Sequence, residues 1–501
     1  MHNIFNFGKY ILKTMKKISL LVAFTISTFA FSQFVSPGTG VSYNLASLSA
    51  AAPTVLVNNG SDYQMTANVT ISAGDTLEMN EDTTLKINGG IEFTVGGNYT
   101  TTANNLLITA SDPAVIFRGI RFESTANVAI NNTTFEYGGG LQVFTGNFVM
   151  ENSIVRYFKP GMVTGSSVNF STGNPVVRNS QFIENQLPAV ASGANQSVAL
   201  EFTNNYLYGN TKDNSNRPQI NMGPSGSGIT KIINNTIIGN RALTRVGGVS
   251  VSTLLGIENH PQIEGNTIKD NRYGITVAGN NSSGSISNNI ITDNNTETNP
   301  LMGGSGIALS GNGSTAMALK IEKNEIRGNL WGITITGTSQ GDLGGGSLGS
   351  LGQNIFSNNG NGGEIFALNN VSPHAISAEN NCWREGELSD DAMVESIVFH
   401  KADDATKGEV DYKPYLCALP LATENSALLK SKIYPNPSNG TFIFDAEKAG
   451  NIVISDMSGR NIHSGIVVKG TNTVTVKAKS GVYILQYISE GKKQSNKLII
   501  K

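Results

Sequence analysis

The sequence predicts an all-β protein: a single-stranded right-handed parallel β-helix followed by a small C-terminal β-sandwich. Two observations carry the first part. An apolar residue, an Asn, a second apolar residue and a second Asn recur as Phe202, Asn205, Leu207, Asn210, then Ile232, Asn235, Ile237, Asn240, then Ile263, Asn266, Ile268, Asn271. The same quartet returns at Ile286, Asn289, Ile291, Asn294 and at Ile321, Asn324, Ile326, Asn329. The second apolar position comes back about every 29 residues between Ile154 and Trp383, which is the mark of a solenoid. Helical spacing is hardly sustained after residue 32, and the apolar runs are short, β-branched and bounded by Gly and Asn. The sandwich rests on the C-terminal stretch, where the Asn pattern stops and alternating strands sit between Pro and Gly turns.

Taken in chain order, residues 1–32 read as a signal peptide. Met15-Lys16-Lys17 precedes an apolar run from Ile18 to Phe31, and Ala30-Phe31-Ser32 offers small residues for cleavage before Gln33. About 14 apolar residues are too few to span a bilayer of ~30 Å as a helix. No other run approaches that length, so no transmembrane segment is expected in the mature chain. Residues 33–418 are the β-helix with its capping segments. Coils stacked at about 4.8 Å place like positions in columns. Ile232, Ile263, Ile286 and Ile321 then form one aliphatic row, and Leu207, Ile237, Ile268, Ile291 and Ile326 another. The asparagines suit sharp turns, tolerate left-handed backbone, and can bond from coil to coil. Between 11 and 13 coils are expected, a rod of roughly 55 Å. Residues 419–430 read as a polar linker and 431–501 as the sandwich.

The solenoid pattern resembles the parallel β-helix repeat superfamily that includes pectate lyases and polygalacturonases. Ile71-Ser72-Ala73-Gly74-Asp75-Thr76-Leu77, leading to Thr84-Leu85-Lys86-Ile87, is similar to a first coil. Asn380-Asn381-Cys382-Trp383 and the run from Gly408 to Leu416 are similar to a closing segment, with Arg384 where Gly is usual. The resemblance implies a scaffold on which polysaccharides are cleaved. The set of motifs expected of a polygalacturonase (Asn-Thr-Asp, Asp-Asp, Gly-His-Gly, Arg-Ile-Lys, in that order) is missing here, and no local zinc motif, nucleophile elbow or phosphate loop is present. The C-terminal motifs are Tyr434-Pro435-Asn436-Pro437-Ser438-Asn439-Gly440, a central Gly459, Gly481-Val482-Tyr483 and Lys497-Leu498-Ile499-Ile500-Lys501. They look like the sorting domain of the Bacteroidetes type IX secretion system. That resemblance implies passage to the periplasm and then across the outer membrane, with the secretion machinery as partner and a secreted or cell-surface destination in a Gram-negative bacterium.

Composition narrows the rest. The formal charge is −2, more negative once Lys9, Lys13, Lys16 and Lys17 leave with the signal, so nucleic acid is not an expected partner. Cys382 and Cys417 flank the closing segment, and an oxidising compartment favours a disulfide between them over two thiols or metal ligands. Asp270 and Asp293 occupy one slot in adjacent coils, near Lys269 and Arg272. Stacked carboxylates there either pair with bases or hold a cation, calcium being the only cofactor the sequence suggests. Tyr208, Tyr273 and Trp331 fall at or just after turns and are candidates to stack on sugar rings. The reading favoured is a non-catalytic exported protein that binds polysaccharide or a cell-surface glycan, or acts as an adhesin. A polysaccharide lyase or glycoside hydrolase on the same scaffold is the alternative.

Overall fold

A computed structural model describes residues 33–299, 302–313, 317–361, 364–416, 431–456, 460–489 and 492–501. The expected signal peptide, Cys417, the linker 419–430 and Gly459 lie outside the described residues. The described chain forms two compact units, 33–416 and 431–501.

The first unit is the predicted right-handed parallel β-helix. Three sheets run its length, and the chain visits them in rotation. Sheet 1 holds 14 strands from Phe34–Val35 to Val398–Phe399. Sheet 2 holds 14, from Ser42–Tyr43 to Val410–Asp411, and sheet 3 holds 13, from Leu56–Asn58 to Ile355–Ser357. There are more coils than the repeat predicts, because the terminal coils use two- and three-residue strands that lack the Asn signature. All pairings within these sheets are parallel except that of Leu56–Asn58 with Tyr63–Met65.

Strand alternation sends one side chain in and the next out. The inward ones stack as predicted. Phe202, Ile232, Ile263, Ile286 and Ile321 pair in register in sheet 2, and Leu207, Ile237, Ile268, Ile291 and Ile326 in sheet 3, all fully buried. Sheet 1 adds Val249, Ile275, Ile307 and Ile333. Nearer the N-terminus the core is aromatic. Phe93, Tyr99, Phe122, Phe148 and Phe170 meet edge to face with centroids 5.4–6.0 Å apart, the geometry the ring quadrupole favours.

Buried amides hold the corner between sheets 2 and 3. The side-chain Nδ2 of Asn205 donates to Oδ1 of Asn235, and the chain continues through Asn266, Asn289, Asn324 and Asn354 to Asn381 at 2.9–3.1 Å. Each Oδ1 also accepts the main-chain N–H of the Asn one coil earlier. Left-handed backbone falls on the residue before the ladder position rather than on the ladder Asn: Asn204, Asn234, Gly265, Asn288, Lys323, Gln353 and Asn380 all have positive φ. A second ladder, between sheets 3 and 1, joins Asn185, Asn210, Asn271, Asn294, Asn329 and Asn359. Asn240 is absent from it. The Gln219 side chain takes that place, accepting from Asn210 at 3.0 Å and donating to Asn271 at 2.9 Å. Asn240 instead starts the inserted loop, where its Oδ1 accepts from the Ala242 N–H.

Both ends are closed by short helices and buried polar groups. The helix Leu45–Ala51, capped by Asn44, lays Leu45 and Leu48 over the first coils. Buried Asp75 accepts main-chain N–H bonds from Gly38, Gly40 and Val41 at 2.7–3.0 Å, pinning the N-terminal segment to the coil beneath. Burial alone would raise its pKa, but these bonds and one from Ser36 together hold it below the ordinary carboxylate value. The stability it contributes is complete above the unfolded pKa of about 3.9 and is lost as pH falls through the lower folded value. Amide exchange at Gly38, Gly40 and Val41, followed by NMR or mass spectrometry, is therefore expected to quicken selectively below about pH 4, and Asp75→Ala should produce that rapid exchange at neutral pH.

At the other end Trp383 stacks on Phe356, with centroids 5.2 Å apart and planes within 6°. His400 Nδ1 accepts from the Val410 N–H, leaving Nε2 to face Glu395, whose second oxygen accepts the Tyr412 hydroxyl. Burial, reinforced by Glu395, pushes the Tyr412 phenol up to about 12. Cys382 is buried here.

The second unit has a three-stranded and a four-stranded antiparallel sheet. Phe442 and Phe444 from one face Ile452, Ile454, Leu485 and Tyr487 from the other, so the predicted sandwich is present.

Candidate functional site

Because the core consumes every inward side chain, function must lie on the outward ones. The three outer faces differ in charge. Sheets 2 and 3 carry ion pairs from coil to coil, among them Glu151 with Arg178, Glu201 with Lys231, and Glu136 with Arg156. Among the described residues, sheet 1 has ion pairs only near its N-terminal end, where Arg118 meets Glu92 of the preceding coil and Arg121 meets Glu123 of its own. Beyond them, nine successive strands of sheet 1, from Leu141–Val143 to Leu368–Asn370, contain no Asp, Glu, Lys, Arg or His. Their outward column reads Gln142, Asn169, Ala191, Asn221, Ser250, Thr276, Ala308, Thr334, Asn369. At one strand per ~4.8 Å this neutral strip is about 40 Å long.

Two cavities lie elsewhere. A shallow groove of about 510 Å³ crosses the outer face of sheet 2 between Asn98, Asn127, Asn147 and Val149. Its floor is an exposed amide row in which Asn147 donates to Asn127 and Asn127 to Asn98, at 3.1 and 3.0 Å. A smaller one of about 170 Å³ sits near the C-terminal coil beside Trp383, Arg384 and Glu385. There Glu385 is held by a two-pronged bond from Arg327, which keeps its carboxyl below the ordinary range.

Asp270 and Asp293 do share one slot, the left-handed corner after sheet 3, with φ of 59° and 56°. Each carboxylate meets a cation. Asp270 pairs with Arg241 of the inserted loop at 2.8 Å and Asp293 with Lys269 at 3.7 Å. Arg272, expected to join them, instead donates to the Met302 carbonyl and to Asn216. Among the described residues no three His, Cys, Asp or Glu side chains gather as metal ligands.

The candidate aromatics do not form one row. Tyr208 is exposed with Tyr206 on the outer face of sheet 3. Tyr273 and Trp331 share a different register column, at the entrance to sheet 1, with Ser305 between them. The Tyr273 ring lies against the Cα of Gly247, where any side chain would collide with it, and burial pushes its phenol pKa up. Trp331 stacks on Phe366 with centroids 4.5 Å apart. Sequence reasoning missed Phe366, which meets Trp331 only once the coils are stacked.

In the second unit, Tyr434 is exposed and Gly440 has a φ of 88°. Asn436 ties the Tyr-Pro-Asn-Pro turn to the last strand. Its Nδ2 donates to the Lys497 carbonyl at 2.7 Å, and its Oδ1 accepts from the Ile499 N–H at 2.8 Å. Tyr483, in the strand that begins at Gly481, donates its hydroxyl to the Lys479 carbonyl. Residues 432–501 match the model of the secretion system C-terminal sorting domain. The C-terminal unit is a type IX sorting domain. A sorting domain places the protein outside the cell or on its surface. Within the solenoid, residues 255–386 match a family described as protein of unknown function (DUF1565). No curated protein and no solved structure matches the chain. Among the described residues no helix is long and apolar enough to cross a membrane.

Proposed function

We propose that the solenoid is a non-catalytic passenger of the sorting domain, displayed or released outside the cell, where it binds neutral polysaccharide along its side. The observation that supports this reading is the neutral strip on sheet 1. Surface charge keeps most proteins apart from one another and from other surfaces, and nine adjacent strands without it suit an uncharged polyhydroxylated partner. The pairing of Asp270 with Arg241 and of Asp293 with Lys269 leaves neither carboxylate placed as a free acid or base, which favours binding over cleavage.

Affinity electrophoresis tests the reading. The mature protein is expected to be retarded by at least one neutral polysaccharide of a panel and to migrate freely through acidic ones. The length of the polymer should not change over prolonged incubation. Release of reducing or unsaturated ends would make the protein an enzyme and overturn the proposal.

A further inference from the structure

The neutral strip is most regular in its C-terminal half. There the four strands Gly247–Thr253, Ile275–Gly279, Ser305–Gly311 and Trp331–Gly337 lie side by side without a register slip. Ser250, Thr276, Ala308 and Thr334 form one outward column, and Ser252, Ala278, Ser310 and Thr336 the next. Side chains in this net repeat about every 4.8 Å across the strands and about every 6.7 Å along them. Among the described residues, the hydroxyls of Ser250, Ser252, Thr276 and Ser310 have no partner in the protein. Thr334 accepts from Ser305 at 2.7 Å and Thr336 donates to the Leu309 carbonyl, which fixes their rotamers. The two cavities described above lie on other parts of the unit, and the unbroken register of the four strands makes this an even face.

We infer that this hydroxyl net is the binding surface, and that its ligand is an insoluble neutral polysaccharide whose chains lie side by side in a sheet. The inference rests on the polysaccharide reading above and narrows it to one surface and one physical form of polymer. An even face of in-register strands encloses no single sugar. Each hydroxyl contact with a free oligosaccharide would replace a contact with water and gain little, which the entropy of ordering a flexible chain would offset. A packed polymer face has already lost that freedom and meets many net points at once, so small gains add. The net also presents Thr and Ala methyls between its hydroxyls, matching the mixed C–H and O–H surface of pyranose rings. A charged polymer would have to surrender hydration with no opposite charge within the four strands to receive it.

The test uses the full secreted protein and measures its depletion from solution by microcrystalline cellulose and by insoluble chitin, with soluble cello- and chito-oligosaccharides as competitors. The double variant Thr276→Lys/Ser310→Lys places two solvated charges in the net. Ser285→Lys on the outer face of sheet 2 controls for charge alone, and circular dichroism and thermal melting check that all variants fold. Retention on at least one solid is expected to weaken at least about tenfold in the net variant, to be unchanged in the control, and to resist the oligosaccharides. Equal retention of the net variant would overturn the inference while leaving the polysaccharide reading standing. So would competition by short oligosaccharides at their own low concentrations. A wild-type protein retained by no polysaccharide, soluble or solid, would remove the reading beneath it. If sedimentation velocity then showed a dimer that the net variant abolishes, the occupant would be a second copy and the inference would fall.

Discussion

Asn289→Ala is expected to destabilise the solenoid by about 4 kcal/mol, whereas Asn288→Gly, one residue earlier, should change stability by a few tenths. The two asparagines stand side by side in sequence and differ completely in work. Asn289 is fully buried. Its Oδ1 accepts both the main-chain N–H and the Nδ2 of Asn266, and its own Nδ2 donates to the Ile263 carbonyl and to Asn324. Truncation orphans one buried main-chain donor and weakens three further groups, each unsatisfied group costing about 1–3 kcal/mol. Asn288 is exposed and has a φ of 56°, a conformation glycine adopts freely. Asn288→Val at the same place should cost about 1–2 kcal/mol through backbone strain alone. Repeat proteins need not unfold in one step, so urea titration followed by circular dichroism should be paired with amide exchange in the coils on either side. Equal losses in Asn289→Ala and Asn288→Gly would show that the ladder does not hold the coils together.

This contrast also marks how much the sequence discloses. The aliphatic columns and the ladder positions are legible because burial and coil-to-coil bonding restrict them to Ile, Leu, Phe and Asn. The left-handed corner is not, because its side chain points to solvent, and Lys323 and Gln353 serve there as well as Asn. Gln219 is invisible for another reason. It reaches the ladder from a sheet 1 strand, and only the insertion after Gly239, which carries Asn240 away, hints that a substitute is needed. The neutral strip is spelled out in the strand sequences, yet it becomes a surface only when unequal loops are removed and the strands are brought into register. The same unequal loops explain why Tyr208 appears beside Tyr273 and Trp331 in a sequence reading and stands on a different face in the fold. Cys417, by contrast, falls outside the described residues, and the expected bond to Cys382 with it.

Loss of the last five residues, 497–501, is expected to abolish export, leaving a folded passenger inside the outer membrane. The reason is local. Residues 497–500 supply the register partners of Gly481, Val482, Tyr483 and Ile484, and they bring buried Leu498 and Ile500 to the sandwich core. They also hold the Tyr-Pro-Asn-Pro turn. Lys497 and Ile499 bond to Asn436, the Ser438 N–H donates to the Ile499 carbonyl, and the Lys501 N–H donates to the Ser438 carbonyl. A truncation therefore removes the turn's anchor and part of the core together, so a second variant must separate the two effects. Asn436→Ala removes only the side-chain bridge between turn and strand and leaves Leu498 and Ile500 in place. If secretion reads the shape of that turn, Asn436→Ala should also accumulate in the periplasm, detected by cell fractionation, while its sandwich melts within a few degrees of wild type. Normal export of Asn436→Ala alongside retention of the truncated chain would mean that the machinery recognises the folded sandwich and not the tethered turn.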